Sequence, residues 1–67
     1  MYMIVVNGQS RTCAPGRTLC ELLAETGYAQ RRVAVEVNRE IVPKSQHALR
    51  EILDGDRIEI VHALGGG

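Results

Sequence analysis

Short stretches of the chain alternate between apolar and polar positions, which is the pattern of β-strands. Tyr2–Val6 is apolar on both pleat faces and therefore predicts a central strand. Asn7 and Gly8 follow it, and both tolerate the positive φ of a type I′ turn. We therefore predict a hairpin whose second strand covers Gln9–Cys13.

The next segment has the spacing of a helix. Thr18 and Glu21 form a capping box, in which the Thr hydroxyl bonds the amide three residues on and the carboxylate reaches back. Gly27 is a natural residue for the position after the helix. These signals predict a helix of about nine residues that begins after Thr18. Its core-facing stripe consists of Leu19, Leu22, Leu23 and Thr26.

The second half returns to strand patterns. Three alternating valines predict a half-buried strand: Val33, Val35 and Val37. Asn38 and Arg39 make a turn into a short strand, which Pro43 confines to a sheet edge because proline cannot donate to a ladder. Ser45 is a candidate cap for a helical turn. We expect that turn to carry Leu49, Ile52 and Leu53.

A tight turn at Asp54-Gly55-Asp56 leads to the last predicted strand. In that strand one face carries Ile58, Ile60 and His62, and the other carries Arg57, Glu59 and Val61. The order is hairpin, helix, hairpin, helical turn and strand, which predicts an α+β fold. One main helix should pack on one face of a mixed sheet of about five strands, with the last strand parallel to the first.

Composition narrows the class of protein. With 67 residues the chain makes one small domain with little room for a catalytic pocket. Hydrophobic residues make up 45%, and without Trp or Phe the core should be aliphatic. Eight basic and eight acidic residues balance, which argues against nucleic acid or an anionic membrane as partner. Without an apolar run of membrane-spanning length or a signal-peptide pattern, we expect a cytoplasmic protein.

Few side chains suggest chemistry. Cys13 and Cys20 have six residues between them, and with His47 and His62 they match no zinc or redox spacing. We expect buried or half-buried thiols without an assigned role, histidines at the surface or an interface, and carboxylates on solvated faces. No nucleophile–base pair is visible, so an enzyme is the least favoured class.

The last residues are Gly65, Gly66 and Gly67, three of the seven glycines. Two interpretations stay open on composition alone. One is a frayed end. The other is a reactive terminus, because glycines thread a narrow channel where a Cβ would clash and leave the Gly67 carboxylate unhindered. Residues 63–67 would reach at most ~18 Å when extended.

At this point the residues resemble the family of thiamine-biosynthesis sulfur carrier proteins, which have a ubiquitin-like β-grasp fold. The resemblance covers essentially the whole chain. It lies in the opening of residues 3–8, the helix of residues 18–23, the segments 35–45 and 54–61, and the terminal diglycine. Any single segment is weak, and their order in a chain of this length is specific. It implies a β-grasp domain over residues 1–62 and a flexible reactive tail over residues 63–67.

The resemblance also implies a function. A ubiquitin-activating-type adenylyltransferase would use ATP and magnesium to convert the Gly67 carboxylate into an acyl-adenylate. A persulfide sulfur donor would then turn it into a thiocarboxylate, which delivers sulfur to thiazole synthase for the thiazole ring of thiamine. The chain itself would bind no cofactor or metal. The family ends on two glycines, whereas this chain ends on three. Gly65 is the additional one, and we expect it to alter the flexibility of the tail without altering its chemistry.

Three alternatives remain beside this one. The small subunit of molybdopterin synthase shares the fold, the diglycine and the thiocarboxylate. A protein modifier would join Gly67 to a lysine amine after the same activation. A plain interaction module would have no use for the tail.

A small neutral domain without a pocket needs an exposed apolar face for its partners. We predict docking through Ile60, His62 and Leu64, with Leu64 as the anchor, while Gly65 and Gly66 thread the partner's active site.

Overall fold

The computed structural model describes residues 1–29 and 31–62. In this part of the chain one α-helix packs on one face of a five-stranded mixed sheet, as the sequence predicts. The helix α1 is Leu19–Glu25. The strands are β1 Tyr2–Val6, β2 Gln9–Cys13, β3 Val33–Val37, β4 Glu40–Val42 and β5 Arg57–His62.

The sheet order is β2-β1-β5-β3-β4, so the last strand lies in the middle. β1 and β2 form the predicted antiparallel hairpin, with φ of 49° at Asn7 and 82° at Gly8. β5 runs parallel to β1, where Ile58 pairs with Val6, and antiparallel to β3. The crossover through α1 permits the parallel pairing, because parallel strands need a long connection.

The predicted capping box begins α1. The Glu21 amide donates to Thr18 Oγ1 at 3.3 Å, and the Thr18 amide donates to Glu21 Oε1 at 2.9 Å. The helix is seven residues long, so the prediction of nine was too long. Thr26 is its C-cap and only partly buried, and its hydroxyl donates to the Leu22 carbonyl at 2.8 Å. Gly27 follows at φ 87°, a left-handed conformation that ends the helix.

The core lies between α1 and the sheet and is aliphatic, as predicted. Tyr2 and Tyr28 only flank it. Among the described residues the buried hydrophobic side chains are Ile4, Val6, Cys13, Leu19, Leu22, Leu23, Val35, Val37, Val42, Ile52, Ile58 and Ile60. Alternate positions of β1, β3 and β5 supply much of this set, which is how a strand delivers one face to a core.

The helical turn after β4 differs from the prediction. A 3₁₀ turn covers Lys44–Gln46 and follows Pro43 without a side-chain cap from Ser45. Ile52 is fully buried, while Leu49 and Leu53 are 74% and 51% exposed. A 3₁₀ turn of this length cannot carry a helical stripe to Leu53, so these leucines do not share one face.

Asp56 also differs from the prediction of a solvated turn residue, since it is only 5% exposed. Its Oδ1 accepts a hydrogen bond from Asn38 Nδ2 at 3.0 Å, and its Oδ2 accepts one from the Leu53 amide at 2.9 Å. Asn38 Oδ1 in turn accepts from the Arg57 amide at 3.0 Å. The side chains therefore tie the β3–β4 turn to the start of β5, which satisfies a buried carboxylate.

Candidate functional site

The predicted reactive end falls outside the described residues. Leu64, Gly65, Gly66 and Gly67 are not described by the structure, so their roles as anchor, threading segment and reacting residue stay predictions. The structure does define the end of β5, from which this segment leaves. The candidate site is therefore the C-terminal end of β5 and the surfaces around it.

Hydrogen bonds from both neighbouring strands hold the end of β5. On one side, Asn7 Oδ1 accepts a hydrogen bond from the Ile60 amide at 2.7 Å. On the other side, His62 pairs with Val33 at the start of β3. Asn7 therefore has two roles. Its backbone forms the β1–β2 turn, and its side-chain oxygen extends the contact between the end of β1 and β5. The last described residues therefore have a fixed position and direction.

Ile60 does not belong to an exposed docking surface. Its side chain is 6% exposed and packs in the core beside α1, so that part of the predicted docking face is wrong. The alternation along β5 predicts this burial, because Ile58 and Ile60 lie on one apolar face and an apolar face packs against the core. Val61, on the opposite face, is 53% exposed and is therefore the apolar side chain of β5 that is accessible from outside the domain.

His62 is exposed, as its predicted position at the end of the strand requires. Its ring lies on the helix side of the sheet and packs against Tyr28, with ring centroids 5.5 Å apart and planes inclined by 58°. A tilted pair at this separation is a favourable aromatic arrangement. Tyr28 therefore marks the point where the chain leaves the sheet, and nothing in the sequence pattern pointed to this pairing.

A cavity of about 280 Å³ adjoins this exit on the helix side. Tyr28 and Val33, the two neighbours of His62, both line it. The remaining lining residues are Cys20, Leu23, Ala29, Arg31, Arg32, Lys44, His47 and Ala48. It is built from three separate stretches of chain, so the sequence alone gave no signal for it.

The outer face of the sheet, away from α1, presents a second kind of surface. Met3 and Ile41 are 51% and 71% exposed there, and Val61 lies with them. Glu36 and Glu59 sit directly opposite one another in the β3–β5 pairing. Like charges in opposed positions repel, so this pair does not serve the stability of the isolated domain. An apolar surface with an acidic centre is suited to contact with another protein.

His47 and the cysteines complete the candidates from the sequence. His47 is 7% exposed and not at the surface as predicted; its Nε2–H donates to the Val42 carbonyl at 3.0 Å, which joins the 3₁₀ region to β4. Cys13 is buried, whereas Cys20 is exposed and not half-buried or buried as expected. Among residues 1–29 and 31–62, no cluster of three or more potential ligands is placed to hold a metal ion.

No described helix is both long and apolar enough to span a bilayer.

The mixed sheet with a central parallel pair and one helix across it defines a ubiquitin-like β-grasp protein. The comparisons with known proteins give the family within that class.

The sequence pattern of the ThiS family matches residues 4–67. The chain belongs to the ThiS family of thiamine-biosynthesis sulfur carriers, which confirms the resemblance seen in the sequence. Relatives of nearly the same length are named as sulfur carrier proteins, and this chain is a small protein carrier of that kind rather than an enzyme.

Three relatives show the extent of the similarity. The sulfur carrier protein ThiS of Escherichia coli is 38% identical over 64 residues, which is 96% of this chain and 97% of that protein. The crystal structure of the thiamine biosynthesis protein ThiS from Geobacter metallireducens superposes with a TM-score of 0.84 at 32% identity, covering 97% of this chain and 99% of that one. A thiazole synthase of Paramagnetospirillum magneticum is 48% identical over 64 residues, and the chain spans 20% of its length.

Proposed function

We propose that this chain carries sulfur on Gly67. Its carboxylate reacts with ATP on a ubiquitin-activating-type adenylyltransferase, forming an acyl-adenylate and releasing pyrophosphate. A terminal persulfide sulfur then attacks the carbonyl carbon and displaces AMP. Reductive cleavage of the resulting acyl disulfide by a thiol leaves the Gly67 thiocarboxylate. Activation is needed because a free carboxylate is a poor electrophile, whereas AMP is a good leaving group.

The observation that carries this proposal is the extent of the family match, which runs through Gly67. The glycine end is therefore part of the shared pattern and not an appendage to it. The fold supports it too, because β5 delivers the tail from a fixed position between β1 and β3. A 67-residue domain can then leave ATP, magnesium and the catalytic groups to its partners.

We propose thiazole synthase as the acceptor of the sulfur. The support is the similarity of this chain to one fifth of a protein that carries that name. A carrier domain within the same polypeptide as the synthase indicates that the two work together, since linkage raises their effective concentration. We place the carrier in the cytoplasm, where unpaired thiols such as Cys13 and Cys20 persist.

The test is the intact mass of the carrier after incubation with the adenylyltransferase, ATP, magnesium, a persulfide donor and a thiol reductant. We expect an oxygen-to-sulfur mass increase confined to the terminal residue. Removing both Gly66 and Gly67 should abolish it, because a single glycine then follows Leu64. An unchanged mass for the full-length chain, with an adenylyltransferase that is active on another carrier, would refute the proposal.

A matched control exists within the tail. Removing one glycine of the three leaves the family's diglycine after Leu64, so this variant should still gain sulfur. Adding thiazole synthase together with the small-molecule substrates of thiazole formation should then return the original mass, because the sulfur passes to the thiazole and water restores the carboxylate oxygen. If molybdopterin synthase takes the sulfur instead, the assignment to the thiazole pathway is wrong although the carrier chemistry stands.

A further inference from the structure

A row of three residues crosses the outer face of the sheet: Ile41, Glu36 and Glu59. Glu36 lies directly opposite Ile41 in the pairing of β3 with β4, and directly opposite Glu59 in the pairing of β3 with β5. Paired residues of antiparallel strands lie about 5 Å apart, so this acidic row spans roughly 10 Å. No ion pair with another described residue is recorded for either carboxylate. Cations from outside the domain would relieve their repulsion.

The cavity beside the exit of β5 has the opposite charge. Leu23 and Tyr28 are among its apolar walls, and the exposed Arg31 and Lys44 also line it. None of its described lining residues is acidic. At about 280 Å³ it falls below the ~300–1,000 Å³ typical of small-molecule pockets, so an apolar side chain fits its size better than a cofactor does. Its complement is an apolar side chain that stands beside anions.

The acidic row offers that complement on the surface of the same chain. Its apolar member, Ile41, is 71% exposed, and two carboxylates follow it in a line. The row lies on the outer face and the cavity on the helix side, so the two cannot meet within one domain. Two copies can meet, because eight basic and eight acidic residues balance and copies of a neutral chain do not repel each other through net charge.

We propose that the acidic row of one copy binds the cavity of a second copy. Ile41 enters the cavity, and Glu36 and Glu59 lie beside Arg31 and Lys44 of that second copy. Both surfaces consist of described residues, and the contact does not depend on the sulfur chemistry proposed above.

The placement of the two surfaces determines the form of the assembly. A two-fold dimer uses the same patch on both subunits, whereas this contact joins different patches on opposite sides of the sheet. Each added copy therefore leaves one row and one cavity unoccupied at the ends of the assembly. The result is a head-to-tail series whose mean length rises with concentration. The outer face is accessible to other proteins in dilute carrier and is covered by a neighbour in concentrated carrier.

The first test is sedimentation equilibrium of the full chain at 0.01 M ionic strength, where the Debye length is about 30 Å. We expect the mean mass to rise up to ~1 mM protein without levelling off at that of a dimer. At 1 M salt, with a Debye length of about 3 Å, the association should be more than about tenfold weaker. A monomer throughout, as expected if these surfaces bind only other proteins, overturns the proposal, and so does a series that stops at the dimer.

A second test separates the two surfaces. Ile41→Ser removes the apolar member of the row, and Lys44→Glu reverses a charge at the cavity, so each should weaken self-association more than about tenfold. Mixing the two variants should restore a 1:1 complex and nothing larger, because one variant keeps its cavity and the other keeps its row. Absence of that complex from a mixture of two folded variants contradicts the proposal.

Two control substitutions match these variants. Leu53→Ser makes a similar change at a leucine that is 51% exposed and lies outside both surfaces, so it should leave association unchanged. Arg39→Glu makes the same change in net charge at the β3–β4 turn and should not weaken association. If it weakens association as much as Lys44→Glu does, the effect is one of net charge and the proposal fails.

A third test needs no substitution. In NMR spectra of the unmodified chain, dilution from ~1 mM should shift the signals of Glu36 and Glu59 on the outer face together with those of Leu23 and Tyr28 at the cavity. The edge strand β2 should remain unchanged. Shifts on only one of the two surfaces would show that like patches meet, which overturns the head-to-tail contact. None of these outcomes bears on the sulfur chemistry, which the mass assay tests with the partner enzymes.

Discussion

The two ends of β5 are held in different ways. At its start, polar side chains bond the surrounding backbone: Asp56 binds the Asn38 side chain and the Leu53 amide, and Asp54 Oδ1 accepts from the Met3 amide at 2.8 Å. At its end, the strand relies on pairing with β3, one bond from Asn7 and the ring contact of His62 with Tyr28. The start is enclosed, and the end is open.

This difference separates stability from function along a single strand. Removing a partner at the start leaves buried donors unsatisfied, which is costly. At the end, Val61 and His62 are exposed, so substitutions there should leave the fold intact. The following substitutions test that separation, beginning with the largest expected effect.

Asp56→Ala should lower the free energy of unfolding by about 3 kcal/mol, because it leaves Asn38 Nδ2 and the Leu53 amide without their partner. For a domain of this size that is a large share of a total of roughly 3–10 kcal/mol. Urea denaturation followed by circular dichroism measures it. Glu40→Ala, at an exposed position of the edge strand, is the control and should change little. A loss below that of Glu40→Ala would contradict the role given to Asp56.

Asn38→Ala should cost about 2 kcal/mol, from two lost hydrogen bonds and from a side chain in the left-handed region at φ 51°. Asn38→Gly loses the same bonds and tolerates that φ, so it should be less harmful by roughly 1 kcal/mol. The same denaturation measurement separates the two contributions. Equal losses for Ala and Gly would show that backbone strain plays no part.

Leu64→Asp should weaken binding to the adenylyltransferase about tenfold, equivalent to ~1.4 kcal/mol, on the proposal that Leu64 is the anchor. Its free energy of unfolding should stay within about 0.5 kcal/mol of the original. Steady-state adenylation at varied carrier concentration provides the measurement. Leu49→Asp makes the same change at a leucine that is 74% exposed and should leave adenylation unaffected. An unchanged adenylation rate in Leu64→Asp would remove Leu64 from the docking surface.

His62→Ala should have the smallest effect, about 0.5 kcal/mol, because the ring pair with Tyr28 is exposed on the His62 side. A double-mutant cycle with Tyr28→Leu isolates the pair from each residue's other contacts. A coupling energy as large as the loss from Asp56→Ala would show that the end of β5 is held as firmly as its start.

Local signals in the sequence predicted most of the fold. The Asn7-Gly8 turn, the Thr18–Glu21 capping box and the alternating valines of β3 each act within a few neighbouring residues, and each was confirmed. The parallel pairing of β5 with β1 followed from the helical crossover, which is a rule of topology and not of composition. These features depend on short-range chemistry that a single sequence displays.

Features made by distant residues were missed. The burial of Asp56 depends on Asn38, eighteen positions away, and that of His47 on the fold of the chain around Val42. The cavity forms only where three stretches of chain meet, so none of them indicates it alone. Ile60 is a different case, because it alternates with Glu59 and Val61 on the same face as Ile58, and this pattern alone predicts its burial.

The middle position of β5 governs the order in which the sheet can be assembled. The hairpins β1–β2 and β3–β4 are each local and can pair as soon as they are made, yet within the sheet they meet only through β5. The sheet can therefore become continuous only after the whole of β5, up to His62, has been synthesised. Without β5 the sheet would therefore fall into two hairpins that share no strand pairing.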